Sequence, residues 1–491
     1  MSSAPTDTRT AARGTDDTRF FGHPWPLANL FGVEMWERFS FYGMQAILAY
    51  YIYYSAGEGG LGYSEQVATG IVGAYGGLVY LSAIAGSWVA DRLLGSERTL
   101  FASAILVMIG HIALAALPGV TGLAVGLVCV AVGSGGVKAN ATVVVGSLYA
   151  ADDERRDGGF SLFYMGVNLG AFIGPLLTGW LQTNKGFHWG FGAAAVGMAL
   201  GLAQYTIFRR QLPQSSHEVP NPLPRKQFAP YIGGAVAVAV VIAVLVGLGT
   251  INVDNLADIV LWIIGIAAVG YFAFLLRTPR VTPVERRRVW AFVPMVLAST
   301  VFWSLYQQQF TVVAVYADKR LDRNFLGWDF PQSWVQSINP VFIIALAPLF
   351  AALWTRLGPR QPSTPNKFAL GVGLMGVAFL MFLLMPSGAQ AAPIWGLALI
   401  LLVFTLAELN LSPVGLSLST KLAPEAFTSQ MVGLFYLSVA FGSTMAGKLG
   451  SAYDSANESP YFWTLGIIAI VVAVLVAAGN RPVLKLMGGV R

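Results

Sequence analysis

The chain has 491 residues, 55% of them hydrophobic and only 11% charged, with a mean hydropathy of +0.63. Soluble domains carry about 25% charged residues, and single cores stop growing near about 250–300 residues. One soluble globular core and intrinsic disorder are therefore excluded, and with Cys129 as the single cysteine so is a disulfide scaffold. The formal charge of +6 does not mark a nucleic-acid partner, because the basic residues lie in short clusters between apolar stretches, as membrane topology requires.

Residues 1–22 are polar, lack an apolar core and read as a disordered tail rather than a cleaved leader. About 20 mostly apolar residues cross a bilayer. Fourteen such spans follow: 27–54, 66–92, 98–117, 121–149, 158–182, 187–209, 231–251, 257–277, 289–317, 331–356, 367–386, 394–421, 428–452 and 459–480. The tails and even-numbered loops hold 23 Lys/Arg, whereas the odd-numbered loops hold four: Lys185, Lys319, Arg320 and Arg323. That bias predicts a multi-pass protein of the inner cell membrane with both termini cytoplasmic.

The basic, proline-containing connection 210–230 separates six spans from two, and 277–288 separates those two from the last six. The expected organisation is a tail (1–22), a six-helix bundle (23–210), basic linkers with two extra helices (211–288), a second six-helix bundle (289–480) and a C-terminal tail (481–491). Ala90-Asp91-Arg92-Leu93-Leu94-Gly95 after the second span is echoed by Thr355-Arg356-Leu357-Gly358 after the corresponding span of the second bundle. The predicted class is an all-α polytopic membrane protein, and duplicated six-helix halves around a midplane site describe the major facilitator architecture. The two extra spans hold almost no charge and are expected to pack outside the pathway.

A charge at mid-membrane costs about 2.5–3.5 kcal/mol on insertion scales. The first span carries Glu34, Glu37 and Arg38, with Glu34 and Arg38 at i,i+4 in the favourable order. The fourth span of the first bundle adds Lys138 and the second bundle adds Glu408. Five isolated charges would cost roughly 12–18 kcal/mol, so they are expected to converge across a wet cavity. Three acids and two bases leave a net charge of −1, which one proton would neutralise. That suits a proton-coupled carrier of a zwitterion: bases for a carboxylate, an acid for an ammonium, and a spare carboxylate near its titration point. Tyr42, Tyr80, Asn168 and Asn339 are polar groups within apolar helices, suited to orienting a peptide backbone. Lys448 and Asp91 lie near span ends, where snorkelling or a loop role is expected.

No metal-binding or nucleophilic constellation occurs; there is no His-Glu-x-x-His and no Cys-x-x-Cys. Gly133-Ser134-Gly135-Gly136-Val137-Lys138 lacks the Gly-Lys-Ser/Thr order of a phosphate loop and lies inside a span. No enzyme activity, cofactor or metal is expected beyond the proton as coupling ion.

The run Glu34-x-x-Glu37-Arg38-Phe39-x-x-Tyr42 resembles the defining motif of the proton-dependent oligopeptide transporters, a branch of the major facilitator superfamily whose bacterial members often have fourteen helices. Gly86-x-x-x-Ala90-Asp91-Arg92-Leu93-Leu94-Gly95, the segment from Phe160 to Gly170, Phe302-Trp303, Ser337-Ile338-Asn339-Pro340 and the segment from Glu408 to Pro424 resemble further signatures. The resemblance implies import of di- and tripeptides driven by protons. It implies that Glu34, Glu37 and Arg38 couple protonation to transport, with Glu408 also among the coupling residues. It implies that Arg38 and Lys138 meet the peptide carboxylate, that Glu408 meets its amino terminus, and that Tyr42, Tyr80, Asn168 and Asn339 contact the peptide. Phe41 stands where a second tyrosine is common, and Ala139 where proline is usual. Gln45 and Gln307 stand where many members pair an arginine with a glutamate at the outer gate; both are neutral here, so that pair is absent. The expected partners are peptides, protons and the lipid bilayer, with the chain working as a monomer. Two other readings compete: a carrier of another small solute, such as a drug or organic acid, and a non-transporting membrane receptor.

Overall fold

The computed structural model describes residues 17–150, 153–325, 327–386 and 391–489. Its helices are α1 (Trp25–Tyr53), α2 (Glu65–Val89), α3 (Ser96–Ala116), α4 (Gly119–Gly146), α5 (Arg156–Lys185), α6 (Phe187–Phe208), α7 (Arg225–Gly247) and α8 (Leu256–Arg277). They continue with α9 (Pro283–Tyr306), α10 (Val312–Lys319), α11 (Ile338–Leu357), α12 (Thr364–Met381), α13 (Ile394–Lys421), α14 (Thr428–Gly450), α15 (Ser459–Ala478) and α16 (Asn480–Met487). Among the described residues, thirteen helical segments are long and apolar enough to cross a membrane, with α9 and α10 forming one of them. The 29-residue α1, which carries the three charges of the first span, completes fourteen. The predicted all-α, fourteen-span architecture is therefore present.

Several boundaries move for local reasons. α9 begins at Pro283, six residues before the predicted start. Thr282 accepts from the Glu285 N–H while Glu285 Oε2 accepts from the Thr282 N–H at 2.8 Å, closing a capping box ahead of Pro283 at the first helical position. α7 begins at Arg225 because long basic side chains extend a helix past the apolar stretch. The expected disordered tail is ordered from Asp17 onward, while residues 1–16 fall outside the described residues. There the Asp17 carboxylate pairs with Arg19 and accepts from the Trp25 N–H at 2.9 Å, so an acid satisfies the first turn of α1. The stretch expected to be a C-terminal tail contains α16, which packs on α9.

The chain divides into two compact units. The first comprises 1–43, 82–174 and 191–232, and the second 44–81, 175–190 and 233–491, so the cuts run through α1, α2, α5, α6 and α7. In the first unit, Leu27, Leu30 and Val33 of α1 pack with Leu100, Val144, Val145, Phe163 and Tyr205. The connection after α6 is docked rather than loose: Asn221 and Leu223 N–H groups donate to the Asp91 and Arg92 carbonyls at 3.0 and 2.9 Å. Gly95, at φ +81°, makes this possible, because a Cβ there would lie 2.8 Å from the His217 and Glu218 carbonyl oxygens.

In the second unit, α12 packs against α13 and α15, and α9 packs against α14. Its core is aromatic, with the Phe382 and Phe462 rings stacked at 4.1 Å. Lys448 does not snorkel alone; its Nζ lies 2.8 Å from Asp258 Oδ2, joining α14 to α8. No residue of α7 is buried.

Candidate functional site

In the first unit the α1 charges meet within one helical turn and a half. Arg38 Nε donates to Glu34 Oε1 at 2.8 Å. It also lies 3.2 Å from Glu37 Oε2, an ionic contact out of line for a hydrogen bond. Glu34, Glu37 and Arg38 are 3%, 0% and 4% exposed, far from the solvent that usually weakens ion pairs. The Arg38 guanidinium also sits 5.7 Å from the centroid of the Phe41 ring. Glu34 Oε2 and Glu37 Oε2 are buried without a hydrogen-bond donor, so each carboxylate keeps an oxygen that can take a proton.

Ser134 supplies what the sequence reading did not anticipate. Its Oγ donates to Glu37 Oε1 at 2.7 Å. The glycines around it explain the reach: a Cβ on Gly135 would sit 2.6 Å from the Ala83 nitrogen, and one on Gly133 would sit 2.7 Å from the Ser103 carbonyl. The run that faintly resembles a phosphate loop is a close-packing surface of α4, and Ser134 is its one polar side chain before Lys138. The signal was present as a serine among glycines on the turn preceding Lys138. Lys138 is half-buried one turn later and acts electrostatically on Glu37, and Tyr42 is half-buried one turn after Arg38. Asn168 of α5 donates to the Tyr164 carbonyl one turn back at 2.9 Å.

In the second unit the centre is Glu408 of α13. The Tyr306 hydroxyl donates to Glu408 Oε2 at 2.5 Å, and Asn339 Oδ1 lies 3.2 Å from that hydroxyl as a second acceptor. One hydroxyl hydrogen cannot serve both acceptors at full strength, and the charged carboxylate takes it at the shorter distance. Asn339 Nδ2 donates to Thr405 Oγ1 at 3.0 Å. Phe302 stacks on the Tyr306 ring at 5.6 Å and Trp303 meets it edge-on at 5.3 Å, so the aromatic run at the end of α9 fixes the hydroxyl. Tyr306 was not among the expected site residues, although it closes the Phe302-Trp303 motif. Tyr80 stacks with Tyr436 at 6.4 Å.

Gln45 and Gln307 are not hydrogen-bonded to each other. Gln307 Nε2 donates to Ser443 Oγ at 2.9 Å, and the Gln45 side-chain oxygen is buried without a hydrogen-bond partner. Arg320, one of the three basic residues of the loop after the seventh helix of the core, pairs with Glu458 at 3.3 Å.

Fourteen membrane-crossing helices with buried acids and bases inside them define a multi-pass membrane transporter of the major facilitator fold, not an enzyme. The chain belongs to the POT family, whose family model matches residues 97–467. It is 41% identical over 490 residues to the "Di-/tripeptide transporter" of Lactococcus lactis subsp. cremoris, covering 96% of this chain and 98% of that one. It is 40% identical over 491 residues to the "Uncharacterized transporter YclF" of Bacillus subtilis (strain 168), covering 99% and 100%. Among solved structures, it matches a variant of peptide transporter POT in complex with alafosfalin at a TM-score of 0.93 and 43% identity, covering 99% of this chain and 100% of that one. It also matches a POT family transporter in complex with 5-aminolevulinic acid at a TM-score of 0.90 and 36% identity, covering 96% and 99%.

Proposed function

We propose that the chain is a proton-coupled symporter that imports di- and tripeptides by alternating access across the cell membrane, working as a monomer with both termini in the cytoplasm. The observation that carries this reading is the buried Glu34–Arg38–Glu37 cluster, whose two carboxylates each keep an oxygen without a donor. With Lys138 the cluster is neutral when ionised, so Glu408 holds the remaining negative charge in the second unit. The proton is held at Glu34 or Glu37, and Arg38 and Lys138 meet the substrate carboxylate. Glu408, oriented by Tyr306, meets the substrate ammonium and shares in coupling. Tyr42, Tyr80, Asn168 and Asn339 contact the peptide backbone, while Gln45 and Gln307 stand at the outer gate. The bundles 23–210 and 289–480 are the halves that alternate. The similarity to di-/tripeptide transporters supports a peptide substrate, and 5-aminolevulinic acid, which carries an amine and a carboxylate, is bound by one of the similar structures.

Uptake of labelled dialanine into proteoliposomes tests the reading. An inward proton gradient should drive accumulation above equilibrium, and a protonophore should collapse it. Saturable uptake that ignores the gradient, or no uptake of any dipeptide, would sink the proposal.

A further inference from the structure

We infer that the outer passage is held shut by a clasp in which Tyr53 and Tyr54, at the end of α1, grip the single carboxylate of Asp318 on α10. The inference deepens the transport reading and rests on it only for the need to open and close. Tyr53 is the last residue of α1 and the Tyr54 N–H closes the last helical bond, to the Tyr50 carbonyl at 2.8 Å, and the two neighbouring rings, 5.3 Å apart and edge to face, share one target. Their hydroxyls donate to the two oxygens of Asp318, Tyr53 to Oδ2 and Tyr54 to Oδ1, each at 2.6 Å. Charge-assisted bonds of this length, taken by both oxygens, fix direction as well as distance.

The clasp extends on both sides. One turn earlier, Tyr50 donates to the Ala314 carbonyl at 3.1 Å, one turn before Asp318. Gln332 donates to the Tyr54 oxygen at 3.0 Å and is itself held by Arg323 Nη1 at 2.8 Å. Lys319 lies 3.5 Å from Glu65 at the start of α2. Farther along α2 the backbones themselves touch: a Cβ on Gly73 would lie 2.6 Å from the Gly447 Cα of α14. All these groups belong to the second compact unit.

Two features turn this contact into a latch. α10 is an eight-residue helix joined to α9 by a 3-10 turn, Gln307–Phe310, and by Thr311 at φ −120° and ψ −93°, so Asp318 rides on a short piece beyond that break. The neutral Gln45 and Gln307 are not joined, so no ion pair between those positions shares the task of closure. The two hydroxyl–carboxylate bonds at its centre can be broken without separating full opposite charges, and the one ion pair beside them, Lys319–Glu65, is long at 3.5 Å and partly exposed, which suits a contact that must open in every cycle.

Double electron–electron resonance between spin labels at Ala56 and Asp322, in a Cys129→Ser background, reads the separation of the two loops without any substrate. The parent should show a dominant short-distance population. Tyr53→Phe with Tyr54→Phe, which removes only two oxygens, and separately Asp318→Asn, should each raise the ratio of long to short distances by about tenfold. Asp318→Glu, which keeps the carboxylate, should lie closer to the parent than to Asp318→Asn. Unchanged distances in both variants overturn the clasp, and a shift with Asp318→Asn alone overturns the part assigned to the tyrosines. Failure of dialanine uptake with the distance shift intact would refute the substrate reading and leave the clasp standing.

Discussion

Ser134 and Glu37 stand 97 positions apart in the chain, yet a hydrogen bond of 2.7 Å joins them where neither is exposed to solvent. The Ser134 hydroxyl holds one oxygen of the Glu37 carboxylate and leaves the other without a hydrogen-bond donor. Arg38 lies within ionic reach of both carboxylates. Ser134, Arg38 and Glu34 thus surround one carboxylate, and each can be replaced separately by mutation.

Glu37→Gln, or Glu34→Gln, should abolish gradient-driven accumulation and leave some peptide counterflow. Ser134→Ala should impair accumulation more mildly, since a hydrogen bond to a charged group is worth about 1.5–3 kcal/mol. Proteoliposome uptake under an imposed gradient, compared with counterflow without one, checks both expectations. Normal concentrative uptake by either glutamate variant would remove that residue from the coupling step.

Glu408→Gln should weaken binding of free-amino dipeptides far more than of their N-acetylated forms, because only the former lose a charge-assisted bond. Tyr306→Phe leaves Glu408 in place but unaligned, so its effect should fall in the same direction and be smaller. Lys138→Ala should discriminate free from amidated C-termini. Competition binding with the blocked and unblocked pairs measures all three. Equal losses across each pair would mean that these residues only shape the cavity.

At the glutamine pair, Gln307→Glu replaces the amide that donates to Ser443 and adds a charge, and Gln45→Arg adds one of opposite sign. Each single change should reduce transport or expression. The double change should show favourable coupling of at least about 0.5 kcal/mol in a mutant cycle if the positions meet during the cycle. Additive effects would show that they do not.

Glu458→Gln should destabilise the protein by about 3–5 kcal/mol, the usual cost of stranding one partner of a buried ion pair. Arg320 is 8% exposed and would lose this carboxylate, while its bond to the Pro386 carbonyl would remain. Thermal unfolding in detergent measures the loss. Of the three basic residues of that loop, Arg320 is thereby tied to Glu458, while Lys319 and Arg323 hold partners within the clasp.

His23 lies just ahead of α1, its Nδ1 3.0 Å from the Tyr149 hydroxyl. Burial first, and the Arg155 cation second, push its pKa below the ordinary value of about 6.5, against a smaller opposing effect of Asp153. The folded form therefore prefers neutral His23. Its contribution to the order of residues 17–25 is complete above about 6.5 and is lost as pH falls through that value toward the lower folded one. An NMR titration of the His23 ring should give a midpoint below 6.5, and Arg155→Gln should raise it.

The spans were legible because apolar length is a one-dimensional property, and the α1 cluster because Glu34 and Arg38 share a helical face whatever surrounds them. Ser134 and Tyr306 were not, since their partners lie 97 and 102 positions away and nothing local marks the meeting. The start of α9 was missed for another reason: hydropathy fades through Arg286-Arg287-Arg288, whereas the Thr282–Glu285 box shows where the helix begins. Asp318 escaped notice as an ordinary acid at a span end, and its importance came from two tyrosines more than 260 positions earlier.

Because α7 buries none of its 23 residues, its neighbours along most of its length are acyl chains. At 1.5 Å per residue it is about 34 Å long, slightly more than the roughly 30 Å hydrocarbon layer it crosses. Membrane thickness, which the tightly packed helices resist through their side-chain contacts, therefore acts on this segment almost unopposed. Thin bilayers should tilt it, and the basic residues Arg225 and Lys226 at its start would then ride along the headgroup plane like a float. Through this helix the protein should be sensitive to the chain length of the lipids around it.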